Sequence, residues 1–522
     1  MSQAVADLPE NLESLRAIIA TQAAELAEAN RRLHTRDTLI EKLKAQLALL
    51  RRARFGASSE KVEREIAQLE LALEDIEVSA GETAPPPVRK AEAEKNKPAR
   101  QPLPEHLPRH EEVHEIGDCA CPTCGGRDFL KAGSVVSEVL DYVPASFRVV
   151  RHVRRKMVCK GCDTEIKAAM PSSPIERGKP GPGLLAHVLV SKYCDHLPLY
   201  RQSEIYAREG VELSRSTMAD WVGQANALLA PLVEALRAHV FAGNRLHGDD
   251  TPVPVLDPGR GKTKEGRLWT YVRDGRPWAD DTAPAVAYFY SPDRKGERPR
   301  KHLESFRGVL HADGYAGFRH LYEPKKPGEA PAILEAACMA HARRQFFDLT
   351  VSGPAPIADE AIKRIGEFYD IEATIRGAPP ERRRQVRQEQ TAPRFAAFRS
   401  WLETMLAQLP RKSGTAEAIR YALARWTALG RFIDDGMIEI DNNAAERSIR
   451  PITLGRKNWL FAGSDRGGER AAGILSLIQT AKHNGFDAEA YLRTVLAQIA
   501  DHPAKKIADL LPWGDAFSAK AA

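Results

Sequence analysis

Apolar residues near the start of the chain recur at alternating spacings of three and four. Ten of the twelve positions are apolar, and Gln22 and Arg36 are the exceptions. The series is Leu12, Leu15, Ile19, Gln22, Leu26, Ala29, Leu33, Arg36, Ile40, Leu43, Leu47 and Leu50. The heptad pattern predicts one long helix with a hydrophobic seam. That seam either packs on the rest of the protein or joins two chains. Its free-standing position favours a coiled coil over residues 10–80 that makes the protein a homo-oligomer. Residues 81–107 then combine proline clusters with charge, which predicts a linker without a core.

Two Cys-x-x-Cys pairs follow the linker, Cys121 with Cys124 and Cys159 with Cys162. Each pair places two thiolates on one tight turn, and two such turns complete a closed tetrahedral zinc site. The seven cysteines of the chain are too few for a disulfide scaffold. We therefore predict a zinc ribbon over residues 108–175, with strands between the pairs and one structural Zn²⁺ ion.

The predicted strand before the second pair is basic and includes Arg151, Arg154 and Arg155. Such a run is usually a solvated face. On a small zinc module without acidic neighbours, it is also a credible surface for DNA phosphates.

Residues 176–238 predict helices with a helix-turn-helix cadence. A first helix stops at Gly210, and Ser214 caps a second helix that would present Arg215 to a DNA groove. Helix pairs of this shape also occur in proteins that bind no DNA.

Beyond residue 241 the pattern changes to strands, predicted at 246–256, 267–273, 284–290 and 308–315. A helix is predicted at 300–306, and another runs through residue 338 to residue 347. Three strands, a helix, a strand and a helix is the opening order of a ribonuclease-H-like fold. The first and fourth strands pair in that fold, which would bring a carboxylate of the first strand to Asp313. Crowded carboxylates favour a cation between them, and a pair of Mg²⁺ ions suits oxygen ligands and substrate phosphates.

The first acidic ligand is ambiguous, because Asp249 and Asp250 are consecutive and point to opposite faces of a strand. Only one can reach the metal ions, and the other would be a surface or hydrogen-bonding residue. A third carboxylate is expected on a later helix. Asp441 or Asn442 caps that helix, which places Glu446 in its first turns.

The remaining segments of the chain carry mostly basic side chains. Residues 353–430 look like an arginine-rich helical insertion, and residues 455–470 are predicted to form a loop that could hold a DNA backbone. Solvation is the alternative role for each of the further candidate phosphate contacts: Arg343, Arg344, Arg447, Arg450, Arg456 and Lys457.

Overall charge does not decide the partner, since 76 basic and 70 acidic residues leave a net charge of +6. No run of about 18 apolar residues predicts a membrane span. The first residues lack the basic and apolar regions of a signal peptide. With so few cysteines, a reducing compartment is expected, and we predict a cytoplasmic protein.

Nine motifs in order make the chain resemble the transposases of the insertion sequence 66 (IS66) family, a bacterial DDE group. They are RFGASSEK, CPTCGG, CKGC, LHGDDTP, LHADGY, CMAHARRQF, IDNNAAERSIRP, GRKNWLFAGSDRGGERAA and DHPAKKIADLLPW. The resemblance implies that Asp249, Asp313 and Glu446 are the catalytic acids. The family commonly has Asp-Glu-Thr where this chain has Asp249-Asp250-Thr251. Glu439 and Asp441 are rival third ligands.

The expected fold is multidomain α+β: coiled coil, zinc ribbon, helix-turn-helix-like segment, and a ribonuclease-H-like α/β catalytic core over residues 239–485 with its helical insertion. Residues 486–522 would form a C-terminal helical segment. The expected function is DNA cleavage at the ends of an insertion sequence and strand transfer into target DNA. Partners would be double-stranded terminal repeats, target DNA and accessory proteins of the same element, at the bacterial nucleoid. The alternatives are a DNA-binding protein without activity and a nuclease without strand transfer.

Overall fold

The computed structural model describes residues 103–518 apart from 106, 116–119, 144–145, 176–177, 179, 258–261, 325, 327, 352 and 460–461. The predicted coiled coil and most of the predicted linker lie outside the described residues.

A four-stranded sheet forms the first module. Its strands are β1 (Arg109–His114), β2 (Phe129–Val143), β3 (Ser146–Cys159) and β4 (Glu165–Lys167). β2 and β3 form a long antiparallel hairpin that places Phe129 opposite Cys159. β1 lies parallel to β3, and β4 pairs antiparallel with the C-terminal end of β3. The two cysteine turns therefore meet at one end of the hairpin, as expected of a ribbon.

Three helices lead from this module to the second sheet: α1 (Pro182–Tyr193), α2 (Leu199–Arg208) and α3 (Arg215–Phe241). The predicted helix pair is present as α2 and α3. Gly210 has a φ of +78°, a left-handed conformation that favours glycine. The Ser214 side chain accepts the Thr217 N–H at the start of α3. α3 is 27 residues long, and beyond its first turn it contributes buried side chains to the core.

The second sheet has five strands: β5 (Arg245–Asp257), β6 (Lys262–Arg273), β7 (Ala285–Ser291), β8 (Gly308–Ala312) and β9 (Ile333–Ala337). The order across the sheet is β7-β6-β5-β8-β9. The first three strands form an antiparallel meander, whereas β8 lies parallel to β5 and β9 lies parallel to β8. The side-by-side pairing predicted for the first and fourth strands is thus present.

The strand β9 was not predicted, because the sequence analysis placed only a helix in this part of the chain. Its five residues, Ile-Leu-Glu-Ala-Ala, include good helix formers and are too few to display an alternating pattern. Parallel hydrogen bonding to β8 decides their conformation.

Eleven helices are assigned after β7 in the described part of the chain. They are α4 (Glu297–His302), α5 (Met339–Val351), α6 (Pro356–Thr374), α7 (Pro380–Val386), α8 (Ala392–Gln408), α9 (Gly414–Ala424), α10 (Trp426–Asp434), α11 (Asn443–Trp459), α12 (Asp465–His483), α13 (Ala488–Gln498) and α14 (Asp515–Ser518). Helices α6 to α10 correspond to the predicted insertion and bury their own aromatic core around Phe368 and Phe398. None of the described helices is both long and apolar enough to cross a membrane.

The loop predicted over residues 455–470 is largely helical, because α11 continues through residue 459 and α12 begins at residue 465. Its glycines permit close packing instead. A Cβ on Gly455 would lie 2.2 Å from the His196 ring, and one on Gly468 would lie 2.3 Å from the Tyr290 ring. The Ser464 side chain caps α12 by accepting the Gly467 N–H.

Two buried arginines hold the insertion together and in place. Arg387 donates to both carboxylate oxygens of Glu372 at 2.7 and 2.6 Å, and to the Phe432 carbonyl at 2.8 Å. Arg383 donates to the Pro277 carbonyl at 2.6 Å and to Glu439, which precedes α11. Arg387 thus ties helices of the insertion to one another, and Arg383 ties the insertion to the segment after β6 and to the segment before α11. Because both guanidinium groups are out of solvent, their partners must stay in place.

Replacing Arg387 by Leu should therefore lower the free energy of unfolding by about 3 kcal/mol, because the buried Glu372 would lose its bidentate partner and keep only Arg383, 3.6 Å away. The matched control is Arg399→Ala, which removes an exposed ion pair with Glu403 on the same insertion. This substitution should change the free energy of unfolding by about 0.5 kcal/mol or less. Urea denaturation measures both values. Equal effects of the two substitutions would contradict a structural role for the buried network.

Candidate active site and zinc centre

Three acidic side chains lie near one another at the central strands of the second sheet, close enough for Asp313 and Glu446 to act electrostatically on Asp249. The parallel register aligns His247 of β5 with His311 of β8, so Asp249 and Asp313 each lie two residues beyond that pair. Glu446 lies in the first turn of α11, which packs against β5 and β6. Sequence-distant carboxylates are therefore brought together by strand pairing and by the position of one helix.

Asn442 fixes the start of that helix against the sheet. Its side-chain amide donates to the Gly248 carbonyl at 2.9 Å, and its carbonyl oxygen accepts from Nδ1 of His247 at 3.1 Å. The sequence analysis considered Asn442 only as a helix cap. The first helical N–H, that of Asn443, is instead accepted by Asp441 at 3.1 Å. Asn442 thus sets the distance between Glu446 and β5, a role for which the sequence carries no signal.

The surroundings of Asp249 clearly change the acidity of its carboxyl group. The pKa of Asp249 is raised to about 7: burial is the largest cause, a hydrogen bond from the Asp250 N–H opposes it, and the negative charges of Asp313, Asp250 and Glu446 add to it. A carboxylate in this position gains from any cation that enters the cluster.

Asp250 has a different environment, as expected for the opposite face of the strand. Its side chain is fully buried. Oδ1 accepts from Arg294 Nη2 at 2.8 Å and Nε at 3.1 Å, and Oδ2 accepts from Arg267 Nη1 at 3.2 Å. Burial raises the pKa of Asp250, and the two arginines oppose that shift. Both oxygens are already engaged with protein cations. Neither arginine is predicted from the sequence, because no local pattern links them to β5.

The rival third acids are engaged elsewhere. Glu439 accepts from the buried Arg383, and Asp441 holds the Asn443 backbone and side-chain N–H groups. Glu446 instead has its Oε1 3.6 Å from Nδ1 of His341 at the start of α5, and its side chain is 42% exposed. It is the acid on α11 that remains open to a ligand.

The candidate phosphate contacts lie on several surfaces. Arg447 and Arg450 are exposed on α11, Arg344 is exposed on α5, and Arg343 on α5 lies over the Phe347 ring. Arg215 is partly exposed at the start of α3. Arg456 and Lys457 fall within α11, but their side chains lie outside the described ones. Their contact with DNA stays a prediction.

The assumption that the basic strand of the zinc module has no acidic neighbours was wrong. Arg151 forms ion pairs with Glu111 at 3.2 Å and Glu138 at 3.7 Å, and Arg155 pairs with Glu115 at 2.6 Å. β1 and β2 bring these acids alongside β3. The pairs are exposed and hence weak, so phosphates could still replace the carboxylates.

The four cysteines of the two pairs form one cluster. Their sulfurs all lie within 4.8 Å of one another, with 3.2 Å between Cys121 and Cys162 and 3.5 Å between Cys124 and Cys159. Tetrahedral zinc with Zn–S bonds of about 2.3 Å would separate the sulfurs by about 3.8 Å. The residues therefore fit a structural zinc ion.

Neighbouring groups give the thiols unequal acidities. Backbone N–H groups, that of Cys124 first, lower the pKa of Cys121 to about 6. The Gly126 N–H lowers the pKa of Cys124, but hydrogen bonding with the thiols of Cys162, Cys159 and Cys121 outweighs it and raises that pKa to about 12. Four crowded thiols that cannot all ionise together favour a divalent cation, which binds them as thiolates.

Comparison with known proteins identifies the family. Residues 177–470 match the family described as "Transposase IS66 family". The chain belongs to the IS66 transposase family. Other parts of this IS66 chain match "Transposase C of IS166 homeodomain" (42–111), "zinc-finger binding domain of transposase IS66" (118–163) and "IS66 C-terminal element" (476–513). The zinc-finger match and the four-cysteine cluster together indicate structural zinc, and the family supports DNA binding.

Full-length relatives of this IS66 chain occur in Sinorhizobium fredii. Uncharacterized protein y4hP is 41% identical over 490 residues, which cover 90% of this chain and 88% of the relative. Uncharacterized protein y4qI is 40% identical over 532 residues, which cover 98% of each. Uncharacterized protein y4jD is 37% identical and covers 90% of this chain.

Removal of a zinc ligand should unfold the zinc module. For Cys159→Ser, we expect less than one zinc ion per chain by elemental analysis and faster proteolysis within residues 108–175, because bound metal supplies folding energy to such modules. Cys194→Ser is the control, since Cys194 lies after α1 and outside the cluster. Unchanged zinc content in the Cys159 variant would contradict the four-cysteine site.

The affinity of the acidic cluster for Mn²⁺ should rise with pH up to about 7, because the metal competes with the proton that Asp249 retains below its raised pKa. The stability of the metal-free protein changes with pH in the opposite direction. The folded chain binds more protons than the unfolded chain between about pH 4 and pH 7, so Asp249 makes metal-free protein less stable as pH rises. Calorimetric titrations of the protein with Mn²⁺ at three pH values measure the affinity. Asp249→Asn should flatten the dependence, whereas the exposed control Asp501→Asn should preserve it.

Proposed function

We propose that this protein is an active DDE transposase, which cuts DNA at the ends of an insertion sequence and joins them to target DNA. The observation that carries the proposal is the proximity of Asp249, Asp313 and Glu446 at the central strands of the second sheet. The strand order β7-β6-β5-β8-β9, with its antiparallel meander and two added parallel strands, supports a ribonuclease-H-like core.

The acidic residues fit Mg²⁺, because a buried carboxylate with a raised pKa lies within the field of two others. Asp249, rather than Asp250, is proposed as the first ligand, because Asp250 is occupied by Arg294 and Arg267. Glu446 is proposed as the third. Two Mg²⁺ ions bound there would activate the attacking oxygen and offset the charge of the phosphate that is cut.

The protein's own groups would hold the reactants in place. Asn442 and His247 keep α11 against β5, so that Glu446 stays beside Asp249. Water attacks during cleavage, and the freed 3′-hydroxyl attacks during strand transfer, so no side chain becomes bonded to DNA. The exposed Arg447 and Arg450 of the same helix would hold the DNA backbone near the acids.

Other modules would select and pair the DNA ends. The zinc ribbon and the α2–α3 pair are proposed to recognise the terminal inverted repeats, with Arg151, Arg154, Arg155 and Arg215 as phosphate contacts. The predicted coiled coil would join two chains so that both ends are held in one complex. Accessory proteins of the element and action at the bacterial nucleoid belong to the same proposal.

Cleavage of a duplex carrying the element's terminal repeat tests the proposed reaction. Asp249→Asn, Asp313→Asn and Glu446→Gln should each reduce Mg²⁺-dependent cleavage by roughly 1,000-fold, since each ligand supports several kcal/mol of charge stabilisation. Asp501→Asn is the control, because Asp501 is exposed and lies beyond α13 near the C-terminal end of the described residues. Specific binding without cutting, even with Mn²⁺ and the accessory proteins, would leave a DNA-binding protein. Cutting without joining would leave a nuclease.

Cysteine substitutions separate ligands from neighbours. Asp249→Cys should recover activity when Mn²⁺ replaces Mg²⁺, because a thiolate is a softer ligand than a carboxylate. Asp250→Cys should show no such recovery. The reverse result would make Asp250 the ligand.

A further inference from the structure

We propose that Arg294 is a further catalytic residue, whose guanidinium contacts the phosphate being cut while Asp250 and Tyr315 hold it in position. The inference rests on the proposed function. It assigns a role to the acid beside Asp249 and to an arginine that lies outside every sequence motif identified above.

Arg294 reaches into the acidic cluster from the segment between β7 and α4. Nη2 lies 2.8 Å from Oδ1 of Asp250 and 4.0 Å from Oδ2 of Asp313. Nε also donates to Oδ1 of Asp250 at 3.1 Å. One edge of the guanidinium is thus anchored on the buried Asp250, and the group lies beside a proposed metal ligand.

Tyr315 supports the same side chain from a second direction. The guanidinium carbon lies 4.0 Å from the centroid of the Tyr315 ring, a distance typical of a cation–π contact. The Tyr315 hydroxyl donates to the Arg294 backbone carbonyl, and the Tyr315 N–H donates to Oδ1 of Asp313 at 3.1 Å. One tyrosine therefore positions both Arg294 and Asp313, which couples their separation to the local fold.

The arginine has donors left for a ligand. Among the residues that the structure describes, no acceptor lies within hydrogen-bond distance of its Nη1, and 37% of its side chain is exposed. Asp250 also has a second cation, because Arg267 donates to its other oxygen. Neutralising Asp250 therefore does not by itself account for Arg294. A guanidinium with one edge anchored and another open matches the geometry of a phosphate oxygen.

A fixed positive charge at this point would act on the reacting phosphate. Charge builds on the phosphate oxygens in the transition state, and a donor held rigidly by Asp250 and Tyr315 stabilises it without reorganisation. Asp250 and Tyr315 are positioning residues in this arrangement. They would not touch the DNA.

The test uses the full-length protein and a duplex that carries the terminal repeat. Arg294→Gln should slow single-turnover cleavage in Mg²⁺ by about 100-fold, as expected for loss of one transition-state donor. Its affinity for the same DNA in Ca²⁺ should change by less than about threefold, because one phosphate contact among many is lost. Arg294→Lys should not restore the rate, since an ammonium cannot bind Asp250 and phosphate through two edges.

Arg298→Gln is the matched control. Arg298 is similarly exposed, at 33%, but its guanidinium pairs with Asp293 at 2.9 Å and not with the acidic cluster. It should cleave at the wild-type rate. Should Arg294→Gln fail to fold, as judged by zinc content and thermal unfolding, Tyr315→Leu removes the ring beneath the guanidinium and should also slow cleavage.

A neutral phosphate distinguishes contact from a structural effect. A methylphosphonate at the cleavage position should slow cleavage by the wild type, and it should slow cleavage by Arg294→Gln by a clearly smaller factor, because the variant has already lost one contact to that charge. If Arg294→Gln cleaves as fast as the wild type while Asp313→Asn is inactive, the role of Arg294 is wrong and the proposed function stands. If the wild type does not cleave under any condition, the proposed function itself fails.

Discussion

Parallel pairing of β5 with β8 is the constraint on which the candidate site depends. It aligns His247 with His311 and so places Asp249 and Asp313 at the same level of the sheet. The two carboxylates repel each other electrostatically, and burial of Asp249 makes that repulsion stronger. A sheet that forces acids together in this way is unfavourable without a cation. The arrangement is therefore a cost to folding that a bound cation would offset.

The surroundings of the acids hold them in place and limit which of them is free. Asn442 fixes the helix that carries Glu446, and the buried Arg383 engages Glu439, which could otherwise compete. The helical insertion thus does more than extend the chain, because its arginines bind the segment that leads into α11. Asp250 is similarly committed to Arg294 and Arg267. Glu439 and Asp250 are thus both paired with arginines of the protein.

Local signals predicted much of the fold correctly. The two cysteine pairs, the Gly210 and Ser214 boundaries and the three-stranded meander are present, since each depends on residues close in the chain. Predictions failed where packing overrides local preference. β9 is a strand despite helix-forming residues, because β8 offers hydrogen bonds. The 455–470 segment is helical through residue 459 and again from residue 465 despite its glycines, which permit close contact with His196 and Tyr290.

The sequence by itself determined which chemistry is available: four thiols at zinc spacing, and aspartates and a glutamate within motifs that resemble one transposase family. The family follows from the order of those motifs, and the comparisons bear it out. Only the tertiary structure showed that Asp250, and not its neighbour Asp249, is bound by Arg294 and Arg267. It also revealed Arg294, Tyr315 and Asn442 at the site. Strand register and long-range ion pairs depend on residues tens to hundreds of positions apart, and no local pattern in the chain encodes such distances.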